Sequence, residues 1–189
     1  MLAWSAIGPR DRVIWWLEVF PALAAVAILI VTFRRFPLTP LLYVLIFLHA
    51  LVLLVGGHYT YAEMPLFNWL RDEFGLARNY YDRVGHVFQG FVPAMVAREI
   101  LLRRSPLVPG RWLFFIVTCI ALAISAFYEL LEWWVAISSE ETADAFLATQ
   151  GDVWDTQWDM FLALLGAVAA QITLGRLHDR QLAAMGNGE

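Results

Sequence analysis

The chain has 189 residues, of which 60% are hydrophobic and 16% charged, and its mean hydropathy is +0.62. This composition excludes an ordinary soluble domain and predicts a multi-pass membrane protein folded as one domain, residues 1–189, with the lipid bilayer as its main partner. The net charge is −4 and the basic residues are scattered arginines, so no nucleic-acid partner is expected; the lone Cys119 excludes disulfide and thiolate-metal frameworks.

Five segments are long and apolar enough to form membrane-spanning helices of about 20 residues. In chain order they are residues 13–33, 40–56, 82–102, 112–137 and 154–174. They predict an all-α polytopic membrane helix bundle with five transmembrane helices. The third segment is the least compatible with lipid, since only residues 87–97 separate its charged ends. We therefore expect it at the centre of the bundle.

Two short helices are predicted in the connections on the outer face. Pro65 near a first turn and Gly75 at the end predict one between the second and third spans. Ser138 and Glu141 resemble a capping box and predict another between the fourth and fifth spans. We expect these helices to lie along the membrane surface.

The arginines indicate the orientation of the chain in the membrane. Eight of the thirteen fall on one side of the predicted spans: Arg34, Arg35, Arg98, Arg103, Arg104, Arg111, Arg176 and Arg180. Because basic residues are enriched in cytoplasmic connections, this side is expected to be cytoplasmic. The N-terminus is then outside and the C-terminus inside.

Ionisable side chains recur at one depth within the predicted spans, and such costly placements mark functional sites by default. Counting 1.5 Å per residue from the inner edge puts a first layer at about 24–27 Å. Its members are His86, Glu129, Asp159, His58 and Glu18. A second layer, at about 31 Å by the same count, contains Asp82, Glu132 and Asp155. All five spans would contribute to one pocket beneath the external surface.

Spacing within each span supports a shared inward face, since the polar residues lie three or four positions apart. The sets are Asp82 with His86 and Gln89, Glu129 with Glu132, and Asp155 with Asp159. The carboxylates outnumber the cations expected at this depth, which are Arg83 and the two histidines. Protonated carboxyl groups, a salt-bridge network or a bound metal cation must balance the excess.

The metal hypothesis assigns roles to most of these side chains, because imidazoles with carboxylates are an ordinary ligand set for Zn, Mn or Fe. Its ligands are His58, His86, Glu129, Asp159 and Asp82. Either Glu132 or Asp155 would act as the catalytic general base. The protein would then be a metal-assisted hydrolase of a lipid or envelope precursor.

Two alternatives stay open at the level of sequence. One is a structural or partner-binding membrane protein whose polar network fixes helix packing, and the other is a small transporter or proton-coupled permease, alone or as a homo-oligomer. Away from the layers, His49 is predicted to be a hydrogen-bonded core residue and His178 to be solvated in the cytoplasmic tail. Gly166 and Ala170 form a small-xxx-small pair that favours close helix approach.

Three sequence blocks resemble the family of bacterial inner-membrane proteins typified by YjdF. They are NYYDRVGHVFQG at residues 79–90, YELLEW at 128–133 and GDVWDTQWDM at 151–160. The resemblance covers nearly the whole chain and implies a small polytopic protein of a bacterial plasma membrane. It does not imply any particular activity. The acids that end one span and begin the next are also distantly similar to VanZ-type membrane proteins linked to glycopeptide resistance, although the Arg expected between them is missing.

Overall fold

A computed structural model describes residues 1–138 and 149–186, and the regular structure in these ranges is entirely helical. The helices are α1 (Leu2–Ala6), α2 (Arg12–Thr32), α3 (Pro40–Tyr59), α4 (Pro65–Phe74), α5 (Tyr81–Arg104), α6 (Arg111–Ser138) and α7 (Asp155–Gly186). One 3₁₀ turn, Tyr61–Glu63, follows α3. The predicted all-α class is confirmed for the described residues.

Four of the described helices, α2, α3, α6 and α7, have the length and composition to cross a membrane. The helix α5 has 24 residues but carries charged pairs near both ends, and it does not meet the same criteria. The predicted count of five spans is therefore not confirmed. Hydropathy measures how well a helix suits a lipid environment. The helix α5 scores poorly because it packs mainly against other helices.

The helix α5 is central, as predicted for the third span. It packs against α3, α6, α7 and the 3₁₀ turn, with its most extensive contact against α7. Buried residues occur along its whole length, from Tyr81 to Glu99. Neighbouring helices thus cover a helix whose polar side chains lipid would not tolerate.

The backbones of α5 and α7 touch at two glycines. A Cβ atom added to Gly90 would lie 1.8 Å from the Ala163 carbonyl oxygen, and one added to Gly166 would lie 2.2 Å from the Val87 carbonyl oxygen. No larger residue fits at either position without moving a helix. The predicted close approach at Gly166 and Ala170 is confirmed, and Ala170 is fully buried.

Tyr61 joins α3 to α5 near the end of α3. Its ring occupies the space above Gly56 and Gly85, at 2.3 and 2.8 Å from where their Cβ atoms would be. The chain reaches this position through Thr60, whose φ of 62° is unusual for a β-branched residue. This turn directs the Tyr61 side chain into the bundle, where the residue is 6% exposed.

The first predicted short helix is confirmed as α4, which begins at Pro65 and is followed by Gly75 in the left-handed conformation, φ 61°. Glycine adopts that conformation without the steric cost of a Cβ atom. Of the second predicted pair, Ser138 is the last residue of α6, and Glu141 lies outside the described residues.

A polar network ties α3, α5 and α7 together near the C-terminal end of α5, away from the predicted polar layers. The Glu99 carboxylate accepts hydrogen bonds from the Thr39 hydroxyl at 2.8 Å, Arg103 at 2.8 Å and His178 Nε2 at 2.9 Å. Arg98 donates to His178 Nδ1 at 2.7 Å, so a neutral imidazole satisfies both contacts.

The prediction that His178 is solvated is wrong, because its side chain is fully buried. The apolar run ends near residue 174, but α7 continues to Gly186, about three further turns. A helix can extend beyond its apolar stretch, and His178 remains on the face that packs against α5.

Candidate functional site

Three side chains from the two touching helices converge at the centre of the site. Asp82 and His86 lie one turn apart on α5, Asp159 lies on α7, and one ligand atom of each falls within 4.8 Å of the others. The His86 Nε2 atom is 3.4 Å from Asp82 Oδ1 and 3.7 Å from Asp159 Oδ1. All three residues are buried, with Asp159 only 2% exposed. The bundle thus brings together three of the five predicted metal ligands.

The helix α6 adds two buried acids to this centre. Glu129 and Glu132 lie one turn apart, and Glu129 Oε1 is 3.7 Å from His86 Nδ1. Glu129 therefore borders the imidazole from the side opposite the two aspartates. Among the described residues, Glu129 Oε1 and Asp82 Oδ2 are buried without a hydrogen-bond partner. Such unsatisfied carboxylate oxygens are costly in a protein interior.

Gln89 orients the imidazole of His86. Its Oε1 atom lies 2.9 Å from His86 Nδ1, one turn further along α5. When Nδ1–H donates to this amide oxygen, the lone pair of Nε2 points towards the aspartates. Metal-binding histidines are commonly held in this way, by a hydrogen bond on the nitrogen that does not bind the metal.

Two arginines border the acids on the side of α7. Arg83 donates to Asp155 at 2.6 Å and to Asp152 at 3.1 Å, and it also contacts Asp159. Arg78 contacts Asp155 and lies 3.6 Å from Asp82 Oδ2. Asp155, a predicted general base, is therefore held by both guanidinium groups.

Arg78 is a site residue that sequence reasoning missed. It precedes α5 and is not among the eight arginines of the predicted cytoplasmic side, but it is only 5% exposed. The signal available in the sequence was its position four residues before Asp82. A hydrogen bond to the Thr149 carbonyl and the paired bonds between Asn79 and Gln150 hold this connection against the chain before α7.

A cavity of about 150 Å³ adjoins the centre, between α2, α5 and α6. Glu18 and Glu132 contribute carboxylates to its wall, and Tyr61 and Tyr128 contribute phenols. Burial, and then the negative charge of Glu18, raises the pKa of Tyr61 above its ordinary value. The Tyr61 phenol consequently stays protonated and can donate a hydrogen bond.

His58 does not join the cluster. Its Nδ1 atom is 3.1 Å from the Ser5 carbonyl oxygen, and its ring packs 4.4 Å from the Trp4 ring and 4.6 Å from the Tyr59 ring. Depth along a helix does not fix the direction in which a side chain points, and Gly57 beside it is the residue that faces α2. His58 as a ligand remains a sequence prediction without support from this arrangement.

The described part of the site is rich in acids. Six buried carboxylates belong to it: Glu18, Asp82, Glu129, Glu132, Asp155 and Asp159. Two guanidinium groups and one imidazole oppose them. A further cation, or protons, must complete the balance of charge.

These features define a polytopic helical membrane protein with a buried, acid-rich polar centre. Residues 1–180 match the model of the DUF2238 family, described as a predicted membrane protein, and the chain belongs to this family. Inner membrane protein YjdF of Escherichia coli (strain K12) is 53% identical over 186 residues, which are 98% of this chain and 89% of the relative. No solved structure matches.

The family is the one that the sequence blocks indicated. The prediction of an inner-membrane protein with several apolar helices is confirmed at that level. The positions of the two termini, the identity of any ligand and the oligomeric state stay predictions.

Proposed function

We propose that this protein binds one divalent metal ion, Zn, Mn or Fe, through Asp82, His86 and Asp159. The observation that carries the proposal is the approach of three ligand atoms, from residues 93% or more buried, to within 4.8 Å of one another. Two carboxylates with one imidazole form an ordinary nitrogen and oxygen ligand set for these metals.

The surroundings of the three ligands support a bound cation. Asp82 Oδ2, which lies 3.6 Å from Arg78 without a hydrogen bond, would gain a direct contact with the ion, and Gln89 already fixes the imidazole. Glu129 lies beside His86 Nδ1, away from the two aspartates, so its predicted role as a ligand is not part of this proposal. Carboxylates that are expensive to bury alone become favourable when they coordinate a metal.

The chemistry that we propose is hydrolysis of a lipid or envelope precursor. A metal ion would lower the pKa of a bound water and polarise the bond under attack. Glu132 lines the adjacent cavity and, within residues 1–138 and 149–186, forms no ion pair with an arginine, so it would take the proton of the attacking water and return it to the leaving group. Asp155 is the weaker choice of base, because two guanidinium groups hold it.

A structural polar network is the second candidate function. It is favoured by Arg78 and Arg83, which already neutralise part of the acid excess through Asp155 and Asp159. Under this alternative the cluster fixes the packing of α5 against α7, and no metal is needed.

Metal analysis of the purified protein separates the two candidates. The protein is extracted in detergent without chelators, incubated with Zn, Mn or Fe, desalted, and its metal content measured by mass spectrometry. We expect about one bound ion per chain in the wild type and its loss in His86→Ala. His58→Ala is the matched control, because it removes an imidazole outside the cluster, and it should keep the ion. A wild type that retains no metal would leave the structural network as the function.

A further inference from the structure

A second cavity, of about 470 Å³, lies between α2, α3 and α5 and is almost entirely apolar. It shares wall residues with the acid-lined cavity described above. The shared residues are Pro21, His49, Leu53 and Pro93. An apolar chamber therefore meets a polar one at a common wall, and the larger volume falls within the range of small-molecule sites.

The apolar cavity is long and narrow. On α2 its wall runs from Pro21 through Ala25 to Thr32, which corresponds to about 16 Å at 1.5 Å per residue. On α5 it runs from Val92 to Arg104 along one face. This length is about half of the hydrocarbon thickness of a bilayer, and so suits one extended hydrocarbon chain.

The smaller, polar cavity favours a ligand group that donates hydrogen bonds. Glu18 and Glu132 line the smaller cavity together with Asp82, and in the described part of the chain only Asp82 of the three pairs with Arg78 and Arg83. The oxygens of these carboxyl groups accept hydrogen bonds, and an anion placed beside them would add to the excess of acids already buried in the site. A molecule that places its polar end here is favoured if that end donates hydrogen bonds and disfavoured if it is anionic.

We propose that the paired cavities bind a single-chain amphiphile, with its hydrocarbon chain along α2, α3 and α5 and a hydrogen-bond-donating polar end, a hydroxyl or an amine, against Glu18 and Glu132. The proposal names the class of molecule that would reach the proposed metal centre, and in that respect it rests on the proposed function, because Asp82 and His86 also line the smaller cavity. The contacts that would hold the amphiphile are to Glu18, Glu132 and the apolar wall, so we expect binding in the presence of a chelator as well. The occupant enters from the bilayer, where such molecules are dissolved.

Photo-crosslinking tests the proposal on the full chain in detergent. The probe is an 18-carbon primary amine with a diazirine in its chain, added in the presence of a chelator so that metal binding does not affect the outcome. We expect labelled peptides from α2, α3 and α5, located by mass spectrometry. Unlabelled 18-carbon amine and alcohol should compete at least ten-fold better than the 18-carbon carboxylate or a six-carbon amine.

Two tryptophan substitutions on one helix locate the chain. Ala25 lines the apolar cavity, whereas Ala27 is exposed on another side of α2. Ala25→Trp should abolish specific labelling and Ala27→Trp should leave it unchanged. The double variant Glu18→Gln and Glu132→Gln should keep the labelling but reduce the preference for amine over carboxylate.

The proposal is overturned if the wild type is labelled equally well in the presence of all four competitors, because the probe then reports lipid around the bundle only. Equal competition by the 18-carbon amine and carboxylate would also overturn it, since the acids would not select the polar end. These two comparisons need only the wild type, so they decide the matter even if Ala25→Trp fails to fold.

Discussion

Arg78 neutralises part of the acid cluster from a buried position. It contacts Asp155, lies near Asp82 and Asp152, and donates to the Thr149 carbonyl. A buried guanidinium of this kind cannot be removed without leaving carboxylates uncompensated.

We expect Arg78→Ala to lower the free energy of unfolding by about 3–5 kcal/mol, the usual cost of removing one partner of a buried ion pair. Thermal unfolding in detergent measures the change. Arg71→Ala is the control, because Arg71 pairs with the exposed Asp72 on α4 and should have no measurable effect. Equal melting temperatures for both variants would show that Arg78 does not stabilise the cluster.

Individual site residues could be predicted where helix periodicity alone decides their position. Asp82 with His86, and Glu129 with Glu132, share a face because the rise and twist of a helix are local properties. The inward turn of Arg78 depends on contacts with residues 149–150, some 70 positions away. The direction of His58 depends on how α3 packs against α1, whose Ser5 and Trp4 it contacts, and no local pattern encodes it.

The contact between α5 and α7 is the element-scale feature that brings the ligands together. Gly90 and Gly166 allow the two backbones to approach, and Asp159 lies one turn before Ala163, which touches Gly90. The short distance from His86 to Asp159 therefore depends on these two glycines.

We expect Gly90→Ala to separate α5 from α7, because its Cβ atom would lie 1.8 Å from a backbone oxygen that cannot move away on its own. Overpacking of this kind costs about 1–3 kcal/mol or more. The yield of monodisperse protein in gel filtration and its melting temperature report the loss.

Gly175→Ala is the control for that substitution. It lies on α7 with nothing within 4 Å of the added Cβ atom, so the higher helix propensity of Ala should raise stability by up to about 1 kcal/mol. A Gly90→Ala protein as stable as this control would show that the close backbone contact is not required.

At this scale the sequence predicts helices well and their environment less well. The predicted span 112–137 differs from α6 by one residue at each end, and α4 begins and ends where its Pro and Gly indicate. The end of α7 was placed twelve residues too early, because hydropathy follows lipid exposure and not helix continuity. The failure of α5 to meet the criteria for a membrane span has the same origin, because its polar side chains pack against protein.

For the whole molecule we propose that α5 crosses the membrane together with α2, α3, α6 and α7. At 24 residues it spans about 36 Å, enough for the hydrocarbon core, and its neighbours cover its polar side chains. Five crossings would put the two termini on opposite sides of the membrane. The distribution of the arginines then places the N-terminus outside and the C-terminus in the cytoplasm.

Cysteine accessibility tests this orientation in a Cys119→Ser background. A cysteine replacing Ile7, which is 75% exposed, or one added after Glu189 is treated in intact cells with a reagent that does not cross the inner membrane. We expect modification near the N-terminus only, with the C-terminal site modified after lysis. Modification of both sites in intact cells would indicate an even number of crossings and contradict the proposed topology.

The common depth of the polar residues could be predicted for the whole molecule because the bilayer limits helix length and helix rise is constant. The two adjoining cavities could not be predicted, since they arise from the spaces left between α2, α3, α5 and α6 after packing. Cavity shape depends on all side chains at once, and single-residue patterns contain no information on it.

The most direct test of the metal centre is the number of imidazole nitrogens bound to the metal. Pulsed electron paramagnetic resonance of the Mn²⁺-loaded protein detects each coordinating nitrogen. The arrangement of Asp82, His86 and Asp159 predicts one imidazole nitrogen, lost in His86→Gln and unchanged in His58→Gln. A second nitrogen that disappears in His58→Gln, or a wild type that binds no Mn²⁺, Zn or Fe, would contradict the account.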